Sequence, residues 1–173
     1  MNTLFPADQI YPPGFSYFPG FISAEEETEL IQAVSQTELH TFLFQGFEAK
    51  RKVASFGYDY SFDKRSLTRG QMIPGTFEPL IEKVAAHVGI SRPEFAEVLI
   101  TEYPTASVIN WHRDAPPFDI IAGISLLSNC TFRFRPHEKA KQSRSSIISI
   151  NLERRSLYVI RGEARTSWQH STS

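Results

Sequence analysis

From Ala96 to Gly162 the chain is a succession of short strand-like runs, and this pattern limits its possible folds more than any other feature. "AEVLITEY", "SVINWH", "DIIAGISLL", "CTFRFRP", "SSIISINL" and "SLYVIRG" are separated by Pro, Asn, Ser or charged turns. Several short strands at this spacing point to an antiparallel sandwich or barrel. Upstream the periodicity changes. In "SAEEETELIQAVSQT", Ser23 and Glu26 match a capping box, acids fill the first turn, and Leu30, Ile31 and Val34 supply an apolar stripe. A helix is therefore expected over 24–35. "TFEPLIEKVAAHVG" predicts a second, with Phe77, Leu80, Ile81, Val84 and Val88 on one face and Gly89 as its stop. Residues 41–62, "TFLFQGFEAKRKVASFGYDYSF", read as two strands with a break at Gln45-Gly46. The first twenty residues carry Pro, Gly and aromatics without periodicity, which suggests an irregular arm laid over a surface. "AKQSRSSIIS" reads as a basic hairpin loop. The class is α+β: helices mostly early, then a β-sandwich, in a single domain over 1–173.

Composition narrows the function classes. With 173 residues and a formal net charge of −1, the chain has no global basic field, so a nucleic-acid partner needs a local basic patch. The lone cysteine, Cys130, forms no intramolecular disulfide, and its strand position suits a buried, inert thiol. No run of membrane-spanning length and no signal-peptide pattern occurs, so a cytoplasmic protein without membrane contact is expected. A P-loop, a Gly-x-Ser-x-Gly elbow, a Cys-x-x-Cys pair and a Gly-rich dinucleotide fingerprint are all absent from the sequence.

The polar residues that carry chemistry are fewer. His112 and Asp114 lie two apart at the end of "SVINWHRD", and residues i and i+2 of a strand share a face. An imidazole and a carboxylate so placed suit Fe(II), Mn(II) or Zn(II), although His-x-Asp alone equally describes a polar turn that closes a strand. His40, His87 and His137 are expected to face solvent. His170, in "SWQHS", falls where the next strand of a sandwich begins. Together with His112 and Asp114 it completes a two-His-one-carboxylate set, which leaves coordination positions open for a co-substrate and dioxygen. Trp111 points away from its neighbours and is expected in the core.

His112-x-Asp114 with distant His170, "TEYPTASVINWHRD", "LERRSLYVIRGEARTSWQHS", "FPGFISAEEETELI" and "RKVASFGYDYSF" together resemble the AlkB-like Fe(II)/2-oxoglutarate-dependent dioxygenases, from about Phe18 through His170. The resemblance implies a double-stranded β-helix (jelly roll) with N-terminal helices packed on the sheet. It implies that His112, Asp114 and His170 are the catalytic metal ligands, with Fe(II), 2-oxoglutarate and O2 as cofactors. Tyr103 matches the family's 2-oxoglutarate-contacting Tyr, and Thr101 takes the place of a common Asn as a second cofactor-binding position. Arg165, five residues before His170, is expected to face the substrate, and Tyr58 and Tyr60 to stack on or cover a flipped base. Arg51, Lys52, Lys64, Arg65 and Arg69 flank that segment as a candidate basic patch.

The implied reaction is oxidative dealkylation of N-alkylated bases in DNA or RNA, as in DNA repair, with hydroxylation of the alkyl carbon and release of aldehyde. The implied state is a monomer. Two rivals stand beside it: the same chemistry on protein side chains, and a degenerate jelly roll that binds without turnover. The family also anchors 2-oxoglutarate with an arginine on a strand after the last His. The sequence ends at Ser173, so a C-terminally truncated domain is expected, with Arg133 and Arg135 as the nearest substitutes. Losing that contact weakens co-substrate binding by roughly 1.5–3 kcal/mol.

Overall fold

In the computed structural model, which describes residues 10–44 and 47–173, the strand-like runs become two facing antiparallel sheets. One sheet holds β1 (Phe15–Phe18), β10 (Leu157–Ile160) and β7 (Ile121–Ile124), in the order β1-β10-β7. The other holds β6 (Ile109–His112), β11 (Trp168–Thr172), β8 (Cys130–Pro136) and β9 (Ile148–Leu152), in the order β6-β11-β8-β9. Strand alternation explains the core between them. Phe132 and Phe134 of β8 point inward and meet Ile150 and Leu152 of β9, Phe15 of β1 and Ile160 of β10. A buried Phe, Leu or Ile of this kind contributes about 1.5–3 kcal/mol each. This is the jelly-roll arrangement.

The helices cover the opposite face of the first sheet. Helix α1 (Ala24–Ser35) has the expected boundaries because its capping box forms: Glu26 N–H donates to Ser23 Oγ at 3.0 Å, and Ser23 N–H donates to Glu26 Oε1 at 3.1 Å. Helix α2 (Glu78–Val88) is preceded by a 3-10 turn, Gly75–Phe77, and ends at Gly89 with φ +84°. Because β10 alternates, Leu157 and Val159 pack against Val84 of α2 while Tyr158 and Ile160 face the jelly roll. A third sheet is built on β3 (Phe47–Ser61), which pairs with β2 (His40–Phe44), β4 (Ser66–Arg69) and β5 (Glu97–Glu102). The expected Gln45-Gly46 break lies outside the described residues. Val98 and Ile100 of β5 pack with Leu30, Phe77 and Ile81 of the helical layer, so the alternate residues of β5 face the other way. The short helix α3 (Glu163–Thr166) leads into β11.

The N-terminal arm departs from expectation. Residues 1–9 lie outside the described residues, but Phe15–Phe18 form a core strand rather than an irregular cover. Gly14 permits this: its φ is +91°, and a Cβ there would sit 1.9 Å from the Arg161 carbonyl oxygen. Arg161 N–H then donates to Gly14 O at 3.0 Å, which sets the β1–β10 register. Among the described residues no helix is long and apolar enough to cross a membrane.

Candidate metal centre

The β6–β11 register sets His112 directly opposite His170. Their rings lie 4.4 Å apart, centroid to centroid, at 61°. His170 is buried and stacks on Phe132 at 5.1 Å and 16°, so the core itself fixes its ring plane. Asp114, two residues beyond β6, completes the group, and the ligand atoms of His112, Asp114 and His170 all lie within 4.8 Å of one another. Asp114 Oδ1 is 3.9 Å from His112 Nε2, and Asp114 Oδ2 is 3.5 Å from His170 Nε2.

The donor chemistry fits a divalent cation. His112 Nδ1 lies 2.7 Å from the Asn110 carbonyl oxygen. A carbonyl only accepts, so Nδ1 carries the proton and Nε2 presents its lone pair to the centre. Burial, with His170 beside it, holds the His112 pKa below its ordinary value, which favours the neutral, ligating form. Burial pushes the Asp114 carboxyl upward, but His170, His112 and Arg165 outweigh it and the net shift is down, towards the carboxylate. Asp114 Oδ2 is buried and has no hydrogen-bond partner, with His170 Nε2 3.5 Å away. Two imidazoles and an orphaned carboxylate oxygen converging on one point are what Fe(II) needs, and they form one face of a coordination sphere.

The loop bearing Asp114 is held from behind. Arg165 of α3 is 7% exposed, its Nε donates to Phe118 O at 2.8 Å, and its Nη2 donates to Asp114 O at 3.1 Å and Ala115 O at 2.6 Å. Where Arg165 was expected to face substrate, its Nε and Nη2 donate to backbone carbonyls, so it clamps the ligand loop.

Tyr103 and Thr101 lie on or just past the site-facing side of β5. Tyr103 keeps 49% of its surface open, yet its hydroxyl is enclosed enough for burial to raise its pKa, with Arg51 and the Thr101 hydroxyl acting against that rise. Tyr58 and Tyr60 lie on the β3–β4 hairpin, opposite Arg69 and Leu67, and Tyr60 packs edge-on against Phe62 at 5.0 Å. Gly57, just before them, has φ +84°, and a Cβ there would lie 2.2 Å from Ala96 O.

Two further corrections concern the other sheet. Trp111 is half-buried rather than core, because the guanidinium groups of Arg135 and Arg133 cover its ring at 4.6 and 5.4 Å. Those arginines alternate with Phe132 and Phe134 and therefore point out of the jelly roll, away from His170. They do not reach the interior where a co-substrate carboxylate would sit. The cation that does face the centre is Arg51 of β3, half-buried over Phe42 at 4.2 Å and electrostatically coupled to Tyr103 and Asp114.

Glu97 of β5 is a further site-facing group that sequence reasoning missed. Ser55 Oγ donates to its Oε1 at 3.1 Å, and burial, with Asp59 and Asp114 adding to it, pushes its pKa up to about 7. Strand alternation on β3 and β5 is the signal for both residues, but only the β3–β5 register brings the two strands together.

Known proteins share this layout. A solved structure, described as the structure of OsALKBH1, superposes with a TM-score of 0.69 over 97% of this chain and 87% of its own, at 14% identity, and so shares the fold. The mouse protein named tRNA (carboxymethyluridine(34)-5-O)-methyltransferase ALKBH8 is 28% identical over 92% of this chain and 24% of its own length. The Arabidopsis thaliana protein named Alkylated DNA repair protein ALKBH8 homolog is 26% identical over 91% of this chain and 50% of its own. The chain thus spans a quarter to a half of these relatives. The 2OG-Fe(II) oxygenase superfamily pattern matches residues 14–173, nearly the whole chain. Fold, ligand set and sequence agree: this chain is an AlkB-like member of the 2OG-Fe(II) oxygenase superfamily, whose cofactors are Fe(II), 2-oxoglutarate and dioxygen.

Proposed function

We propose that this chain carries out Fe(II)/2-oxoglutarate-dependent oxidative dealkylation of N-alkylated bases in DNA or RNA, releasing the alkyl carbon as an aldehyde. The observation that carries the reading is the ligand set itself, two imidazoles and a carboxylate with an unpartnered oxygen on one side of a jelly roll. The names of the relatives, which mention tRNA and alkylated DNA, support a nucleic-acid substrate.

Each residue has a defined task. His112 Nε2, His170 Nε2 and an Asp114 oxygen would hold the metal, and Fe(II) with 2-oxoglutarate would supply the activation of dioxygen needed to oxidise an alkyl C–H bond. Asn110 O fixes the His112 tautomer, Phe132 fixes the His170 ring, and Arg165 fixes the Asp114 loop. Tyr103 and Thr101 orient 2-oxoglutarate from β5, while Tyr58 and Tyr60 on the β3–β4 hairpin contact the target base.

Succinate and formaldehyde release decides the matter when the protein is given Fe(II), 2-oxoglutarate and, in parallel, an N-methylated DNA oligonucleotide, an N-methylated RNA, a tRNA and a methylated peptide. Products with a nucleic acid alone support the reading. Products with the peptide alone, or with none of the four, overturn it.

A further inference from the structure

The sheet β6-β11-β8-β9 has a second face, and the metal centre leaves it unused. Its inner face carries His112, His170, Phe132 and Phe134. Its outer face carries Trp111, Arg133, Arg135 and Gln169. No Asp or Glu occurs in any of the four strands, INWH, WQHST, CTFRFRP and ISINL. That is unusual in a chain whose acids outnumber its Lys and Arg, 19 to 18.

The arginines here also lack the ion pairs that three others make. Arg92, Arg154 and Arg155 each pair with a glutamate. Among the described residues Arg133, Arg135 and Arg113 have no carboxylate partner. Instead Arg135 and Arg133 lie against the Trp111 ring at 4.6 and 5.4 Å, and Arg135 Nε donates to Gln169 Oε1 at 2.8 Å. Arg133 Nε is buried without a hydrogen-bond partner. Their side chains are thus held in place by an aromatic ring and an amide while their charges stay uncompensated. The charge continues past the strand ends. Arg113 directly follows His112 and is exposed, and the β8–β9 connection adds exposed Lys139 and Arg144, while Lys141 is offset by Glu138 at 2.7 Å.

We infer that the outer face of this sheet is a docking face for a single nucleic-acid strand, with Arg133 and Arg135 as its central phosphate contacts. The occupant follows from complementarity. A sheet face whose strands carry no acid, with two guanidinium groups packed over an aromatic ring, matches a polyanion whose bases stack on aromatic and guanidinium surfaces. Arg133 and Arg135 stand about 6.8 Å apart along the strand, so they engage separate points of an extended chain. The metal ligands His112 and His170 occupy the other face of the same two strands, and Arg113 marks the rim between the faces. A strand held outside therefore turns over that rim towards the metal. This inference rests on the nucleic-acid reading above and adds where the flanking strand lies.

The test compares the full chain with Arg133→Gln/Arg135→Gln. Both proteins are titrated with fluorescent single-stranded 12-nucleotide RNA and DNA carrying one N-methylated base, across a series of salt concentrations. Turnover of the oligonucleotides and of a free N-methylated nucleoside is measured in parallel. The expected result is about tenfold weaker binding of the double variant at low salt. Its slope of log K against log salt should be shallower by about 1.4, the loss of two contacts at about 0.7 each. Nucleoside turnover stays unchanged, which shows that the fold and the metal centre are intact. Equal affinity and equal slope in the two proteins overturn the docking face. If wild-type protein oxidises the oligonucleotides and the variant matches it in KM, only the docking face falls. If the variant loses binding but wild-type protein oxidises none of these substrates, the docking face stands and the dealkylation reading falls. A wild-type protein that binds neither RNA nor DNA removes both.

Discussion

Two carboxylates, Glu27 and Asp114, show how one residue chemistry serves structure in one place and ligand binding in another. Glu27, on α1, is almost wholly buried and saturated. It accepts from Arg154, from Arg155 Nη1 at 3.4 Å and from the Leu127 backbone N–H at 3.1 Å. The Arg154 hydrogen bond, with Leu127 and Arg155 behind it, holds its pKa below the ordinary value against the upward push of burial. The partners come from two turns: Leu127 between β7 and β8, Arg154 and Arg155 between β9 and β10. Leu127 and Arg155 both have positive φ, +70° and +65°, so the carboxylate ties a helix to two strained turns. Asp114 is half-buried; its neighbours are two imidazoles at 3.5–3.9 Å, and its buried Oδ2 has no hydrogen-bond partner. A structural carboxylate is complete within the protein. A ligand carboxylate is left incomplete, and the missing partner is the metal.

The largest expected effect comes from removing the incomplete one. Asp114→Ala should weaken binding of Fe(II), or of Mn(II) or Co(II) as spectroscopic stand-ins, by about 100-fold or more, since a direct ligand counts for at least as much as an outer partner. The metal-free variant should melt close to the wild-type temperature, because the two imidazoles and Arg165 only modestly favour the carboxylate and no hydrogen bond to its Oδ2 is lost. Anaerobic metal titration and a thermal melt of the same sample check both halves. Unchanged metal affinity would falsify the ligand assignment.

Glu27→Gln should show the opposite pair of outcomes: metal affinity within a factor of about two of wild type, and a stability loss of about 2 kcal/mol at pH 7 in chemical denaturation. Its pH dependence has a definite sign. The folded-state pKa lies below the ordinary 4.5, so the ionised form's contribution is complete above that value and declines as pH falls through the folded one. The gap between wild type and variant should therefore close in acid. A variant as stable as wild type at pH 7 would show that the helix and both turns hold without the Glu27 carboxylate.

These two carboxylates also mark what could be read from the sequence. The α1 boundaries were legible because a capping box is local: Ser23 and Glu26 are three residues apart and satisfy each other. The three candidate ligands were legible because His112 and Asp114 lie two apart in sequence and His170 falls in a later strand-like run, although β6 ends at His112 and the loop after it carries Asp114. The short-strand pattern was enough to place them on a β-sandwich. Glu27, by contrast, looked like one more acid in a first turn, and its partners lie 100 or more residues away. Phe15 reads as part of an irregular arm until Ile160 is opposite it. Trp111 looked like core because apolar residues usually are, and only the β6-β11-β8 order reveals the two arginines over its ring. Arg165 has the spacing of a site residue and lies close to the site, but which of its neighbours receive its hydrogen bonds is a matter of loop path, which no local pattern encodes.

Glu97 is a third, half-buried carboxyl, and it yields the smallest of these effects. It has one hydroxyl partner, Ser55, and its nearest charged neighbours are the acids Asp59 and Asp114. Burial without a cation raises its pKa to about 7, above the ordinary 4.5. Below 4.5 the carboxyl is protonated in folded and unfolded chains alike, and Glu97 has no effect on the pH dependence. Between 4.5 and 7 the unfolded chain gives up its proton while the folded one keeps it, so wild-type stability falls as pH rises; above 7 the loss is complete. The amide that replaces the carboxyl in Glu97→Gln takes no part in this titration. The metal-free variant should therefore match wild type near pH 4 and exceed it by about 1 kcal/mol above pH 7, a figure reduced for partial exposure. Denaturation midpoints at pH 4, 5.5, 7 and 8.5 trace the divergence. Curves that stay parallel would mean that water reaches Glu97 freely, and that among buried carboxyls in this fold only those with cation or metal partners are perturbed.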